Sequence, residues 1–142
     1  MMIKTTIVLT LILSFLGCES TKSTNLPEIK ASRNEAVVVA QVDLQVGELE
    51  NNTGCGSSSC MAYLKISEVK ELGQSYQNDL KVGDKILTYF SFGTNGADST
   101  THTGLMYDLP KLKTGTRISA VIEPTGEVKG EMVYTVSLYT KL

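Results

Sequence analysis

The chain of 142 residues has no tryptophan, one histidine, three cysteines and three prolines, and only 6% of it is aromatic. So few histidines and cysteines exclude most multi-ligand zinc centres and any histidine-rich metal cluster, because such sites draw three or four nitrogen or sulfur donors from the chain. Basic residues number 13 and acidic residues 15, for a net charge of −2. A protein that binds nucleic acid by neutralising phosphates needs the opposite balance, so no nucleic-acid partner is expected. No recognisable catalytic spacing of nucleophile, base or carboxylate is present, and no catalytic residue, resident metal or cofactor is assigned. What is there is ordinary for a globular domain: 42% hydrophobic and 20% charged residues, too apolar for a disordered chain. The length predicts one domain.

The one long uncharged run lies at the start. Lys4 supplies a short positive region, and residues 5–17 follow without a charge, made apolar by Ile7, Val8, Leu9, Leu11, Ile12, Leu13, Phe15 and Leu16. As a helix this run would span about 20 Å, short of a hydrocarbon core of about 30 Å. It reads as a secretory signal, residues 1–17. No later stretch is long or apolar enough to span a bilayer.

Gly17-Cys18 ends that segment, and a small residue before a cysteine at this place resembles the lipobox of bacterial lipoproteins. Phe15 and Leu16 stand where that family more often has leucine and a small residue. The resemblance implies that the chain is cut before Cys18, that its thiol and new amine are acylated, and that the membrane is a partner through this lipid. Several acyl chains, at about 0.8 kcal/mol per buried CH₂, anchor far more firmly than one. Glu19, in place of the aspartate that tends to retain lipoproteins at the inner membrane, favours the outer membrane of a bacterial envelope. Residues 18–34 then form the lipidated cysteine and a polar tether, with Thr21, Lys22, Ser23, Thr24, Asn25 and Pro27 and no apolar period.

From residue 35 to 142 the pattern is that of strands. Val38, Ala40, Val42, Leu44 and Val46 alternate with Gln41, Asp43 and Gln45, a half-buried strand that is apolar on both faces in its first half through Val37 and Val39. That reads as a strand starting in the centre of a sheet and leaving toward an edge. Residues 61–69 make a second strand with Ala62, Leu64 and Ile66 on one face. Val69 breaks the phase, which predicts a bulge near Ser67 and Glu68. Residues 85–92 follow a tight turn at Val82-Gly83-Asp84, and set Ile86, Thr88 and Phe90 against Leu87 and Tyr89. A fourth strand, residues 116–123, carries Ile118, Ala120 and Ile122. A fifth, residues 131–139, sets Met132, Tyr134, Val136 and Leu138 against Thr135 and Ser137. Pro124-Thr125-Gly126 and Lys129-Gly130 predict a hairpin loop between these two.

Three strands, an insertion over residues 93–115 with at most one short helix in residues 104–112, and a terminal hairpin resemble an OB-fold: an all-β, five-stranded Greek-key barrel. Closure would hide the sheet edges that a domain of this size otherwise exposes. Strand order and alternation through residues 35–40, 62–66 and 85–89 are also similar to the netrin-like OB domains, which include the tissue inhibitors of metalloproteinases. Those inhibitors chelate zinc through a free N-terminal cysteine. Cys18, acylated and far ahead of the first strand, does not carry that mechanism over.

Cys55-Gly-Ser-Ser-Ser-Cys60 is the most distinctive segment. With Cys18 lipidated, two cysteines remain in an oxidising compartment, which predicts a Cys55–Cys60 disulfide shaping the loop of residues 47–59. The alternative chemistry is a copper or redox site in which Cys55 and Cys60 work with Met61, His102 or Met106. Four residues between the cysteines and a strand after them fit poorly with a redox motif. Met61 next to Cys60 places the two side chains on opposite faces of a strand. OB barrels present ligand surfaces through the loops between strands one and two and between four and five. Asn52, Ser57, Ser58, Thr125 and Lys129 are therefore the ligand-contacting candidates, with the two loops expected on the same flank. The functional expectation is a non-enzymatic, lipid-anchored envelope module that binds a protein or glycan, with a structural subunit of an envelope complex as a further alternative.

Overall fold

The computed structural model describes residues 28–46 and 60–142. Their elements are β1 (Ala36–Asp43), β2 (Met61–Leu72), β3 (Lys85–Phe90), β4 (Asn95–Ala97), β5 (Leu109–Lys111), β6 (Arg117–Val128) and β7 (Glu131–Lys141). No helix occurs among the described residues, so residues 104–112 do not form the short helix the sequence allowed. Five strands close into a barrel in the order β1-β2-β3-β7-β6. All neighbours are antiparallel except β3 and β7. A three-strand meander is thus followed by a hairpin whose second strand runs parallel to β3 while its first closes onto β1. This is the OB-fold-like Greek-key barrel. Because β1 pairs with β2 on one side and β6 on the other, it has no edge to leave toward, which corrects that part of the sequence reading.

The interior is the alternating set: Val38, Ala40 and Val42, then Ala62, Leu64 and Ile66, with Ile86, Phe90, Ile118, Ala120, Ile122, Tyr134 and Val136. A narrow barrel must be filled by its own side chains, and alternating alanines with large residues lets facing layers interdigitate. Thr88 sits in this inward row and is fully buried. Its hydroxyl is satisfied by donating to the Ala62 carbonyl at 2.7 Å, since an unpaired buried hydroxyl is costly.

Bulges set the phase. Val39 pairs with Glu68 and Ala40 with Ile66, leaving Ser67 as the extra residue, and its Oγ donates to the Val39 carbonyl at 3.0 Å. A second extra residue, Lys70, follows. The first bulge is where the sequence placed it, and it returns Val69 to the core. On β7, Val121 pairs with Leu138 and Ile122 with Val136, which makes Ser137 extra. The phase change turns Tyr139 inward, where the sequence pattern had put Leu138.

The insertion folds as a two-stranded β4–β5 sheet, with Leu105, Leu109 and Leu112 buried against the barrel core. Tyr139 fastens it, donating to the Pro110 carbonyl at 2.7 Å and packing edge-on to Phe90 with ring centroids 5.5 Å apart. Burial pushes the Tyr139 phenol up to about 12. At the β2–β3 connection, Tyr76 packs on the core beside the Tyr134 phenol without reaching hydrogen-bond geometry. Its pKa is raised, first by burial and then by that neighbour.

Candidate functional site: the outer flank of β2, β3 and β7

Side chains on the outer face of a small barrel normally meet water. Here Leu87 is 0% exposed, Met61 6% and Val133 7%. They form a second apolar cluster with Val46, flanked by Tyr63 and Tyr89. The register explains why they meet. Met61 lies opposite Tyr89 and Tyr63 opposite Leu87 across β2–β3. The parallel β3–β7 pairing puts Leu87 beside Val133 and Tyr89 beside Thr135. An apolar stripe therefore crosses three strands on the outside of the barrel. Val46, read in the sequence as an inward residue of the first strand, lies past the end of β1 and joins this outer cluster.

The hairpin arm supplies the second wall. The pairing of β6 with β1 ends at Ile122, and residues 123–128 pair only with β7. Pro124 and Thr125 are not loop residues, as the sequence suggested, but part of β6. Thr125 is the extra residue of a bulge between Pro124 and Gly126, a place where proline's missing N–H does no harm. The hairpin turn is only Lys129-Gly130, with φ of 50° and 78°. Two consecutive left-handed residues are what a tight two-residue hairpin turn requires. Between arm and flank lies a groove of about 300 Å³. Met61, Tyr89, Val133 and Thr135 line it from the barrel, and Thr125, Gly126, Glu127 and Val128 from the arm.

Polar contacts hold the arm in place. Tyr63 Oη donates to Glu131 Oε2 at 3.2 Å. Burial, then the Glu131 charge, raises the Tyr63 pKa. Lys85 Nζ stands 4.7 Å from the Tyr63 ring centroid and 3.3 Å from Asp43 Oδ2. The Asp43 carboxyl is held below its ordinary value, chiefly by the Gln45 backbone N–H and then by Lys85. Between arm and barrel the Thr125 and Thr135 hydroxyls are bonded to each other at 2.8 Å.

Of the residues singled out in the sequence, Thr125 lines the groove and Lys129 sits at the tip of the arm. Cys18, Asn52, Cys55, Ser57 and Ser58 lie outside the described residues. Cys60 is fully buried immediately before β2 and is not without a bonding partner. Its carbonyl accepts the Phe90 N–H at 2.7 Å. Residues 47–59 lie outside the described residues, which resume at Cys60, while Val46 and Met61 pack with Val133 of the hairpin strand. His102 lies in the β4–β5 connection, with Nδ1 3.1 Å from Thr101 Oγ1 and its ring edge-on to Phe92. Among the described residues no three histidine, cysteine, aspartate or glutamate side chains converge as a metal site would require. Sequence reasoning missed Met61, Tyr89, Val133 and Thr135 as groove residues. A signal for three of them was present: Met61, Tyr89 and Val133 are apolar or aromatic residues on the face that alternation assigns to water.

Compared with known proteins, the chain matches no protein-family model, no curated protein and no solved structure.

Proposed function

We propose that the chain is a lipid-anchored, non-enzymatic binding module of a bacterial cell envelope, which presents the outer flank of its barrel to a protein or glycan. One observation carries the binding role: an apolar stripe across β2, β3 and β7 that opens into a groove under the hairpin arm. The stripe itself is buried, but the groove beside it presents the half-buried Tyr89 and the exposed Val128 with Thr125 and Glu127, and an apolar cleft with a few polar groups is the usual make-up of a ligand site. The anchor rests on the sequence, where an apolar run over residues 5–17 ends at Gly17-Cys18. A Cys55–Cys60 bridge would border the same flank, and the burial of Cys60 supports it.

A photo-crosslinking amino acid at position 89, in the intact chain in its own membranes, tests the reading. The expected result is a recurrent adduct from position 89 and none from position 111, at the end of β5. Equal labelling from both positions, or from neither, would overturn it. A single neighbour captured in fixed stoichiometry would mark the chain as a subunit of an envelope complex. Mass spectrometry of the mature N-terminus checks the anchor, with an acylated Cys18 expected and an unmodified leader opposing it. Titration of the native protein for thiols checks the bridge: reactive Cys55 and Cys60 with tight copper(I) uptake would reverse the ranking in favour of a soft-metal site.

A further inference from the structure

We propose that the groove under the hairpin arm receives a basic side chain from an extended polypeptide partner. This rests on the reading of the flank as the ligand surface and names the ligand. Met61 and Val133 give the groove an apolar floor, and the half-buried Tyr89 ring stands beside them. A lysine or arginine lays its aliphatic stem on such a floor and keeps its charged head at the rim. At that rim Glu127 is exposed, and no hydrogen bond or ion pair engages its carboxylate among the described residues. The neighbouring acid Glu131 is already taken by Tyr63. An aromatic face next to a carboxylate is the pair that recognises a guanidinium or ammonium group.

The charge around the groove points the same way. On the arm, Glu127 lines the groove and Glu131 borders it through Tyr63, against Lys129 at the tip, and the whole chain is −2. An acidic peptide would be repelled. A sugar needs several polar groups converging on its hydroxyls, whereas the two threonine hydroxyls here are already engaged, with each other and through Thr125 with the Val133 carbonyl at 3.4 Å. At about 300 Å³ the groove is at the small end of ligand clefts. That suits one side chain with its flanking backbone better than a whole small molecule.

The test is a titration of the purified full chain, followed through the methyl signals of Met61, Val133 and Thr135. Three probes are added separately: the blocked tetrapeptide Val-Arg-Val-Thr, its Val-Glu-Val-Thr counterpart, and chitotetraose. The expected result is that only the arginine peptide shifts these methyls. Glu127→Gln should then weaken it about three- to fivefold, the range of a partly exposed charge pair. Glu127→Lys should abolish its binding and admit the glutamate peptide. Both variants alter an exposed side chain and leave the fold intact. If chitotetraose shifts these methyls and the arginine peptide does not, the flank remains the ligand surface and the peptide assignment falls. If Glu127→Gln binds the arginine peptide as tightly as the parent, the proposal also falls. Shifts scattered over the barrel, or none from any probe, overturn both the assignment and the groove.

Discussion

Tyr139 joins the barrel to its insertion, and replacing it separates two contributions. The side chain is 1% exposed, packs edge-on to Phe90 at an interplanar angle of 81°, and donates to the Pro110 carbonyl on β5 at 2.7 Å. Tyr139→Phe keeps the ring and removes only the hydroxyl. Pro110 is half-buried, so water can reach its carbonyl, and the cost is about 1 kcal/mol, that of a net hydrogen bond. For a domain of roughly 100 residues this lowers the melting temperature by about 4–8 °C. Tyr139→Ala also empties the space beside Phe90 and costs about 3–5 kcal/mol. Urea and thermal melts measure both. Hydrogen exchange at the Leu112 amide, which donates to the Thr94 carbonyl within the insertion at 2.9 Å, shows where the loss falls. In the Phe variant this amide should exchange faster, while the Phe90 amide, bonded to the Cys60 carbonyl at 2.7 Å, changes only with global stability. The pH dependence has a definite sign. Tyr139 is raised to about 12 from an ordinary 10.0, so the fold favours the neutral phenol. The stabilisation is full below pH 10 and is lost as the pH rises through 12. Tyr139→Phe removes this share and flattens the alkaline loss without abolishing it, because Tyr63 and Tyr107 are raised as well. A Phe variant that melts with the parent and keeps the parent's alkaline profile would refute the role of the hydroxyl.

Gly130→Ala should cost about 1 kcal/mol in a urea melt. A Cβ there meets nothing within 4 Å, so the whole cost is the left-handed backbone at φ 78°; a neutral result would mean that the turn relaxes freely. Gly73→Ala should be harsher in kind, because a Cβ would collide with the backbone oxygens of Ser32 and Arg33. It should cost about 1–3 kcal/mol and expose residues 28–35 to limited proteolysis, and protection equal to the parent would count against it. Cys60→Ser should lose about 2 kcal/mol if a six-residue loop is closed by the bridge with Cys55; a parent protein that is equally stable with and without reductant would remove the bridge. Asp43 and Asp108 are both held below the ordinary 3.8, Asp43 chiefly by the Gln45 backbone N–H and Asp108 chiefly by that of Ser99. Their contribution is present above that pH and fades as the pH falls through the lowered values. The Asp43→Asn, Asp108→Asn double variant should therefore show a shallower decline in melting temperature between pH 4 and 2, and a decline equal to the parent's would refute this.

The inward rows of the barrel were legible because burial on one face forces a period of two, as at Val38, Ala40 and Val42, or Ile118, Ala120 and Ile122. The Ser67 bulge was legible for the same reason, since Val69 falls out of step with Ile66. The Ser137 bulge was not: Leu138 and Tyr139 are both apolar, and either phase satisfies the pattern. Pro124-Thr125-Gly126 has a turn composition, yet proline and glycine also suit a bulge, and only pairing with Tyr134 and Val133 decides between the two. The strands β4 and β5 are three residues each and contain Gly96 and Pro110, so no local preference announces them. The groove was hidden for a different reason. Its walls come from β2, β3, β6 and β7, and only the closure of β7 onto β3 brings Val133 beside Leu87 and Thr135 beside Tyr89. Each of these residues alone looks like an unremarkable exception to alternation. Apolar exceptions on the water-facing rows of neighbouring barrel strands are therefore better read together, in the closed register, than one strand at a time. Here that register gathers Met61, Leu87, Tyr89 and Val133 onto a single flank, with a groove between it and the hairpin arm.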